Sequence, residues 1–412
     1  MRQVVVMWLA LTGGSAVADA QPASAVRMMT RADAIASALS KSPRHTLARL
    51  DSVSAFAQLR TARQYENPML ATSYTEAGPQ AHVTLDVPVD LPRQREPRIA
   101  AARALLGAMT VRLGLADALL AFDTDTAYTR AQTLDAQARL LALTARDADS
   151  LVTLVRIRRD AGDASDLDVE IATVAAGQGA NLAVTAYANS AASLLRLQLL
   201  MGISPDSMRI ALADSIDRSA VDMPVARPTS NSMGIGQALP VAAAALDVRA
   251  AEEQTRLERR RRFGAPAITV GVEAINPGGP GGPLPLFGVS LPLPLFNQNR
   301  AAIARALADE QRGRALLLQA QLEQETAMTL AQTEAVAART RAERSLRLLA
   351  TSERINALSL LAYREGATTL VSVLEAQRTT RDARAQSLED LAAVQVTNRV
   401  LQFLSLRLPT SQ

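Results

Sequence analysis

The stretch from Phe287 to Ala304 changes its hydrophobic period halfway along. Phe287, Val289, Leu291 and Leu293 alternate with small, polar or proline positions, the period-2 pattern of a strand with one apolar face. Pro294 to Asn299 breaks that pattern, and an alanine-rich run with helical spacing follows. The same change occurs 204 residues earlier, in HVTLDVPVDLPRQREPRIA from His82 to Ala100. Pro88 aligns with Pro292, Leu91 with Leu295, Gln94 with Gln298 and Ile99 with Ile303. Gly162 and Gly366 keep that offset, as do Leu197-Gln198 and Leu401-Gln402. A single spacing shared by three separated landmarks implies a duplicated unit.

The first copy is expected over residues 30–202. Thr30, with Asp33 three residues on, starts a helix that runs to about Tyr65 with a bend at Pro43. Asn67-Pro68 stops it, and a hairpin follows at about 68–90, with Leu70, Thr72 and Tyr74 on one face of the first strand. The return strand puts Val83, Leu85, Val87 and Val89 on one face and His82, Thr84 and Asp86 on the other. A helix is expected from about 98 to 161, roughly 95 Å at ~1.5 Å per residue, too long for a compact domain. Leu134, Ala138, Leu141, Ala145, Ala148, Val152 and Val155 step by alternating four and three, a narrow heptad seam for a close neighbour. Ala161 to Ala164 makes a tight tip, and a helix returns over about 166–202. A connector covers 203–233. The second copy then occupies 234–408: a helix over Ile235 to Phe263, a hairpin at about 266–294, a long helix at about 300–365 and a return helix at about 370–408. Within that hairpin, Asn276 to Pro285 (NPGGPGGPLP) reads as loop.

Residues 1–20 read as a secretory signal: Arg2, an apolar core from Val4 to Leu11, and small-x-small cleavage options at Ala16-Val17-Ala18 and Ala18-Asp19-Ala20. Residues 21–29 are a linker. No other segment reads as a membrane-spanning helix of about 20 apolar residues, so membrane insertion would use strands. Four strands cannot close a barrel, which needs about eight, and unpaired strand edges in lipid cost several kcal/mol per group. Chains of this kind therefore have to associate, each giving four strands.

Composition narrows the chemistry. The chain has 412 residues and no cysteine, which removes disulfides, thiolate metal sites and a cysteine nucleophile. Lys41 is the only lysine, and the formal net charge is only +4 because acids interleave with the arginines. That is a set of solvated helix faces, with no nucleic-acid partner indicated. His45 and His82 lie far apart, so no metal site and no cofactor are expected. No nucleophile elbow, phosphate loop, dinucleotide fingerprint or HExxH appears, and the chain does not read as an enzyme.

The order of signal, helix, hairpin, very long helix, glycine-marked tip and return helix, made twice, resembles the TolC-like outer-membrane efflux family over residues 30–408. Within it, PLPLFNQNRAAIARA (Pro292 to Ala306) is similar to the junction of the CzcC-like heavy-metal efflux branch. The tips GDASDLDV (Gly162 to Val169) and GATTLVSVLEA (Gly366 to Ala376) resemble the family's periplasmic tips. The fold this implies is mainly α with a small β part: a homotrimer whose 12-stranded β-barrel continues into a long α-helical barrel. It implies a site in the outer membrane of a Gram-negative-type envelope, embedded in outer-membrane lipid, with a long periplasmic extension. The implied role is a passive export duct. Its partners would be a periplasmic adaptor and, through it, an inner-membrane pump of the RND type. Drug or solvent efflux and type I secretion fit the same architecture. A secreted periplasmic coiled-coil scaffold without pores is the alternative of another class, favoured by the 3% aromatic content, because membrane barrels carry aromatic girdles.

The resemblance also nominates residues. Glu375 matches an acidic position that rings the closed pore in related channels. Ser372 stands where some relatives are acidic, and Asp168 is its first-copy counterpart. Asp166, Asp168, Glu170 and Glu375 could form an electronegative ring around a threefold axis, although acids at a helix start are also favoured by the macrodipole. Gly162, Leu167, Gly366, Leu370 and Val371 would meet the adaptor. Pro88, Pro92, Pro292, Pro294, Phe296 and Asn297 mark the barrel-to-tunnel junction. The run Arg259 to Arg262 suits a helix C-terminus, or else faces anionic head groups at the base of the sheet.

Overall fold

A computed structural model describes residues 26–76, 81–90, 92–206, 208–216, 237–262, 264–274 and 282–408. The expected signal segment, the tip of the first hairpin and most of the connector lie outside these residues. The chain is mainly helical with a small β part. In order, it forms β1 (Arg27–Met29), α1 (Arg31–Lys41), α2 (Pro43–Arg63), β2 (Met69–Tyr74), β3 (Ala81–Pro88), α3 (Pro92–Asp160) and α4 (Asp166–Leu200). There follow β4 (Ile210–Leu212), α5 (Leu239–Arg261), β5 (Ala267–Ala274), β6 (Leu284–Ser290), α6 (Arg300–Arg364) and α7 (Leu370–Leu404).

Four strands form one antiparallel sheet in the order β2-β3-β5-β6, so the hairpins of the two copies join through β3 and β5. The register collects Leu70, Leu85, Val270 and Phe287 in one row, and Val87, Ile268 and Val289 in another, on the same face. That face is exposed: Val83, Leu85, Val87, Ile268, Phe287 and Val289 all lie open. The opposite face is polar, pairing His82 with Glu273 at 3.8 Å and letting the Thr269 hydroxyl donate to Asp86. Gly271 is required there, because a Cβ would lie 2.5 Å from the Val83 carbonyl oxygen.

Several elements depart from the sequence expectation. The first helix is two helices, because Ser42 caps the end of α1 and the start of α2, with Pro43 at the first helical position. α3 begins at Pro92 rather than Arg98 and runs through Pro97. Its first turns are held by Asp90, which pairs with Arg95 at 3.4 Å and Arg98 at 2.7 Å. At 69 residues α3 is about 100 Å long. One stretch of it is apolar enough to cross a bilayer by composition, yet only 11% of that stretch is buried within the chain. The last strand ends at Ser290, so Leu291 and Leu293 lie beyond it, while Leu284 and Pro285 lie inside it, with Pro285 opposite Val272. Among the described residues β6 has no strand partner on its outer side, where a missing N–H is tolerated. Met28 and Met29 belong to β1, which pairs in parallel with β4 across the start of the connector.

The helices pack as layers. On the sheet side the order is α2-α3-α5-α6, and towards the tips it is α4-α3-α7-α6. The seam of the first copy recurs in the second: Ala331, Ala335, Ala338, Ala342, Ser345, Leu349 and Ser352 are buried and step by four and three, the spacing of close helix packing. Its two serines satisfy themselves on the carbonyls of Ala342 and Leu349. The core is a string of separate clusters along the helices. The accessible surface is 26915 Å², against ~15,000 Å² for a compact monomer of this mass.

Candidate functional sites at the hairpin tips and the sheet–helix junction

Each tip is built by the same local chemistry. α3 ends with Gly162 at φ +83°, a left-handed conformation that favours glycine. The Asp163 N–H donates to the Arg158 carbonyl at 2.8 Å and the Gly162 N–H to that of Arg159 at 2.9 Å, a Schellman ending. α6 ends identically: Gly366 has φ +74°, and the N–H groups of Ala367 and Gly366 donate to Ala362 and Tyr363. The following helices differ in their caps. Ser165 caps α4 in a reciprocal box with Asp168, whose carboxylate accepts from the Ser165 N–H at 3.0 Å and its hydroxyl at 2.8 Å. Thr369 caps α7 by accepting from the Ser372 N–H. Ser372 thus occupies the Asp168 position but supplies no carboxylate. The hydrogen bonds from Ser165 hold the Asp168 carboxyl below the usual carboxylate range, against a small opposing effect of burial.

The two tips are fastened to one another. Leu151, Val152 and Val155 of α3, Val169 of α4, Tyr363 of α6, and Leu370 and Val373 of α7 form one buried cluster. Arg158 crosses it, donating to the Tyr363 carbonyl and lying 4.7 Å from the centre of the Tyr363 ring. Burial pushes the Tyr363 hydroxyl up, with Arg158 opposing. Leu370 is part of this core, so it does not offer an outward contact; Leu167 and Val371 are exposed and do. Asp166 is exposed, 3.6 Å from Arg159. Glu170 and Glu375 are exposed and make no ion pair among the described residues. The acids at the two tips therefore stand at the starts of α4 and α7 without forming a cluster within one chain. Among the described residues no group of His, Asp and Glu could hold a metal ion.

At the other end, prolines terminate the pairing. Pro88 closes β3, and Pro92 opens α3. Pro292 packs against Gly264, where a Cβ would lie 2.3 Å from its ring. The Asn297 side-chain oxygen accepts from the Asn299 N–H at 3.0 Å. Asn299 itself is left-handed, at φ 57°, and its amide donates to both the carbonyl and carboxylate of Glu258 at 2.9 Å. Pro294 lies between the strand and this turn, and the Phe296 side chain is 100% exposed.

A third feature was not visible in the sequence. Arg31 donates to Asp125, Thr129, Gln132 and Gln395, and Arg399 reaches the other Asp125 oxygen at 2.9 Å. Beside it, the Tyr128 hydroxyl lies 2.8 Å from the Met29 carbonyl and 2.9 Å from Asp214. Burial first, and then the bond to Asp214, push that hydroxyl up to about 12. This clasp ties the chain start, α1, α3, α7 and the start of the connector together at mid-length.

No protein-family model and no curated protein matches the chain by sequence. Solved structures do match it in shape. The Campylobacter jejuni CmeC outer membrane channel superposes with a TM-score of 0.77 at 13% identity, covering 93% of this chain and 87% of that one. The chain has the fold of outer-membrane channels. CusC, studied for folding and transmembrane channel formation, matches with a TM-score of 0.76 at 18% identity, over 91% of each chain. The outer membrane protein VceC of Vibrio cholerae gives 0.73 at 16% identity, over 91% of this chain and 96% of that one.

Proposed function

We propose that the chain is the outer-membrane channel of a tripartite efflux system, a passive duct with no catalysis of its own, acting as a homotrimer. The observation that carries this is the set of unpaired edges. The sheet ends on β2 and β6, and the helical layers end on α2 or α4 and on α6. A copy set beside each edge pairs it head to tail, because the two edges differ, and a rotation of a third of a turn per copy closes that arrangement as a ring of three. Three copies give twelve strands, above the minimum of about eight for a membrane barrel. The exposed apolar sheet face then meets lipid and the polar face, with Asp86, Glu273 and His82, meets water. The α2 residues Leu47, Leu50, Val53 and Phe56, exposed in one chain, are covered in the same step.

The tips point away from the sheet by the full length of α3 and α6, so they are the surface offered to a periplasmic adaptor, with Leu167 and Val371 as its apolar contacts. The adaptor joins the duct to an inner-membrane pump, of the RND type, which supplies the energy. Glu375, Asp168 and Asp166, brought round a threefold axis, form an electronegative constriction. The likeness of Pro292 to Ala306 to the heavy-metal branch supports heavy-metal cations as cargo. Deleting the gene and replacing it with the wild-type chain tests this reading. Loss of divalent-metal tolerance on deletion, restored by the chain, is expected. Restored tolerance to drugs alone would assign a different cargo, and no export defect at all would overturn the efflux role.

A further inference from the structure

We infer that the end of α5 and the loop after β6 form a binding site for an anionic phospholipid, gripping its phosphate with arginines and its acyl chain with the exposed leucines and Phe296. A groove of about 660 Å³ lies across the start of α3, the end of α5 and the start of α6, lined by Glu96, Glu253, Arg256, Arg259, Arg260 and Arg262. Arg256 is engaged by Glu253 at 2.6 Å. Arg259 and Arg260 make no ion pair among the described residues and are exposed. Leaving Arg262 aside, the guanidiniums of Arg256, Arg259 and Arg260 stand against the carboxylates of Glu96 and Glu253, so the groove is net positive. A helix C-terminus favours cations, but that preference is met by one or two of them and does not require a groove. Guanidinium groups match the geometry of a phosphate, which they can grip with paired N–H donors.

The apolar half of the site is fixed next to the basic half. Asn299 is bonded to Glu258 of α5, and Pro292 packs on Gly264, so the loop 291–299 is stapled to the end of that helix. Arg262 also lines the small cavity that contains Asn297 and Asn299. Leu291, Leu293, Leu295 and Phe296 are all exposed in this loop. Leu291 and Leu293 extend the alternation of Phe287 and Val289 in sequence past the last paired row, Pro88–Ala267–Ser290, and Leu295 and Phe296 stand exposed just beyond them. The site thus sits where an apolar surface ends and a positive one begins, which is the arrangement of a phospholipid at the edge of a bilayer. Charge complementarity and continuity with the apolar sheet face select this occupant over a protein partner. The inference rests on the membrane-barrel reading.

The test uses the purified full-length chain in nanodiscs that mix phosphatidylglycerol and phosphatidylcholine, with bound lipid counted by native mass spectrometry. The wild type should enrich phosphatidylglycerol. The exposed double variant Arg259→Gln/Arg260→Gln should lose about fivefold of that enrichment per guanidinium, ~30-fold for the pair. Arg259→Lys/Arg260→Lys, which keeps the charge and loses the paired donors, should fall between the wild type and the glutamine variant. Phe296→Ser should lower retention of both lipids alike. Equal enrichment in the glutamine variant, or displacement of the lipid by millimolar inorganic phosphate, would overturn the lipid site. Conductance recorded on the same samples separates the two readings. Conducting protein without lipid preference refutes this site alone. Lipid preference without pores keeps the site and refutes the channel.

Discussion

Replacing Arg158 by alanine should loosen the two tips from each other while leaving the middle of the chain intact. Arg158 makes two contacts across the tip: a charge-assisted hydrogen bond to the Tyr363 carbonyl, and a stacking of its guanidinium 4.7 Å from the Tyr363 ring. The first contributes about 1.5–3 kcal/mol when partly buried, the second about 0.5–2. Their joint loss is about 2–4 kcal/mol, because the two contacts share one side chain and do not add fully. The apolar cluster around Val155 and Val373 remains, so the tips fray rather than unfold. Hydrogen exchange read by mass spectrometry should show tip amides near Gly162 and Gly366 exchanging at least ~30-fold faster. Amides of the seam from Ala331 to Leu349 should keep their protection. A double-mutant cycle with Tyr363→Leu isolates the ring contact, with a coupling of ~0.5–2 kcal/mol expected. Unchanged tip exchange in Arg158→Ala would refute the argument that this side chain fastens the hairpins.

Further outcomes follow from single positions. The Asp168 carboxyl is held below its ordinary range, so its cap is fully present above about pH 4 and is lost as pH falls through the lowered value. The first tip should therefore lose protection in acid below pH 4 while the second, with Ser372 at the matching position, does not; Ser372→Asp should confer the same dependence on the second tip. Gly202→Ala places a Cβ 2.5 Å from the Lys41 carbonyl at φ +69° and should lower the melting midpoint, by ~2 kcal/mol or more of stability. Asp125→Ala leaves Arg31 and Arg399 without their shared carboxylate, although both arginines keep solvent access, and should cost about 1.5–3 kcal/mol in chemical denaturation, whereas a loss under about 0.5 would refute a central role for the clasp.

The duplication was legible because it is written in local patterns. Strand alternation, the two tip glycines and the heptad steps depend on neighbours within a few residues, and a common offset tied them together. Both Schellman endings could be placed from Gly162 and Gly366 alone. Bounds were less legible where one position serves two elements, as Ser42 does for α1 and α2, or where a proline sits at an edge, as Pro285 does in β6. The clasp at Arg31 was not legible, since its partners lie up to 364 residues away and no period marks them. Arg158 with Tyr363 was hidden for the same reason, 205 residues apart. Leu370 was placed by its position in a tip and turns out to be core, because the second hairpin packs its first turn against the first hairpin. The acidic candidates do not meet within one copy, because a ring around an axis exists only when copies associate.

The central claim is that several copies of this chain close one continuous duct. Purified protein added to a planar bilayer, with its mass measured in the same detergent, tests that directly. A trimer is expected, with discrete, cation-selective single-channel steps that enlarge when Glu375 is replaced by alanine. A monomer, or a trimer that leaves the bilayer silent, would contradict it.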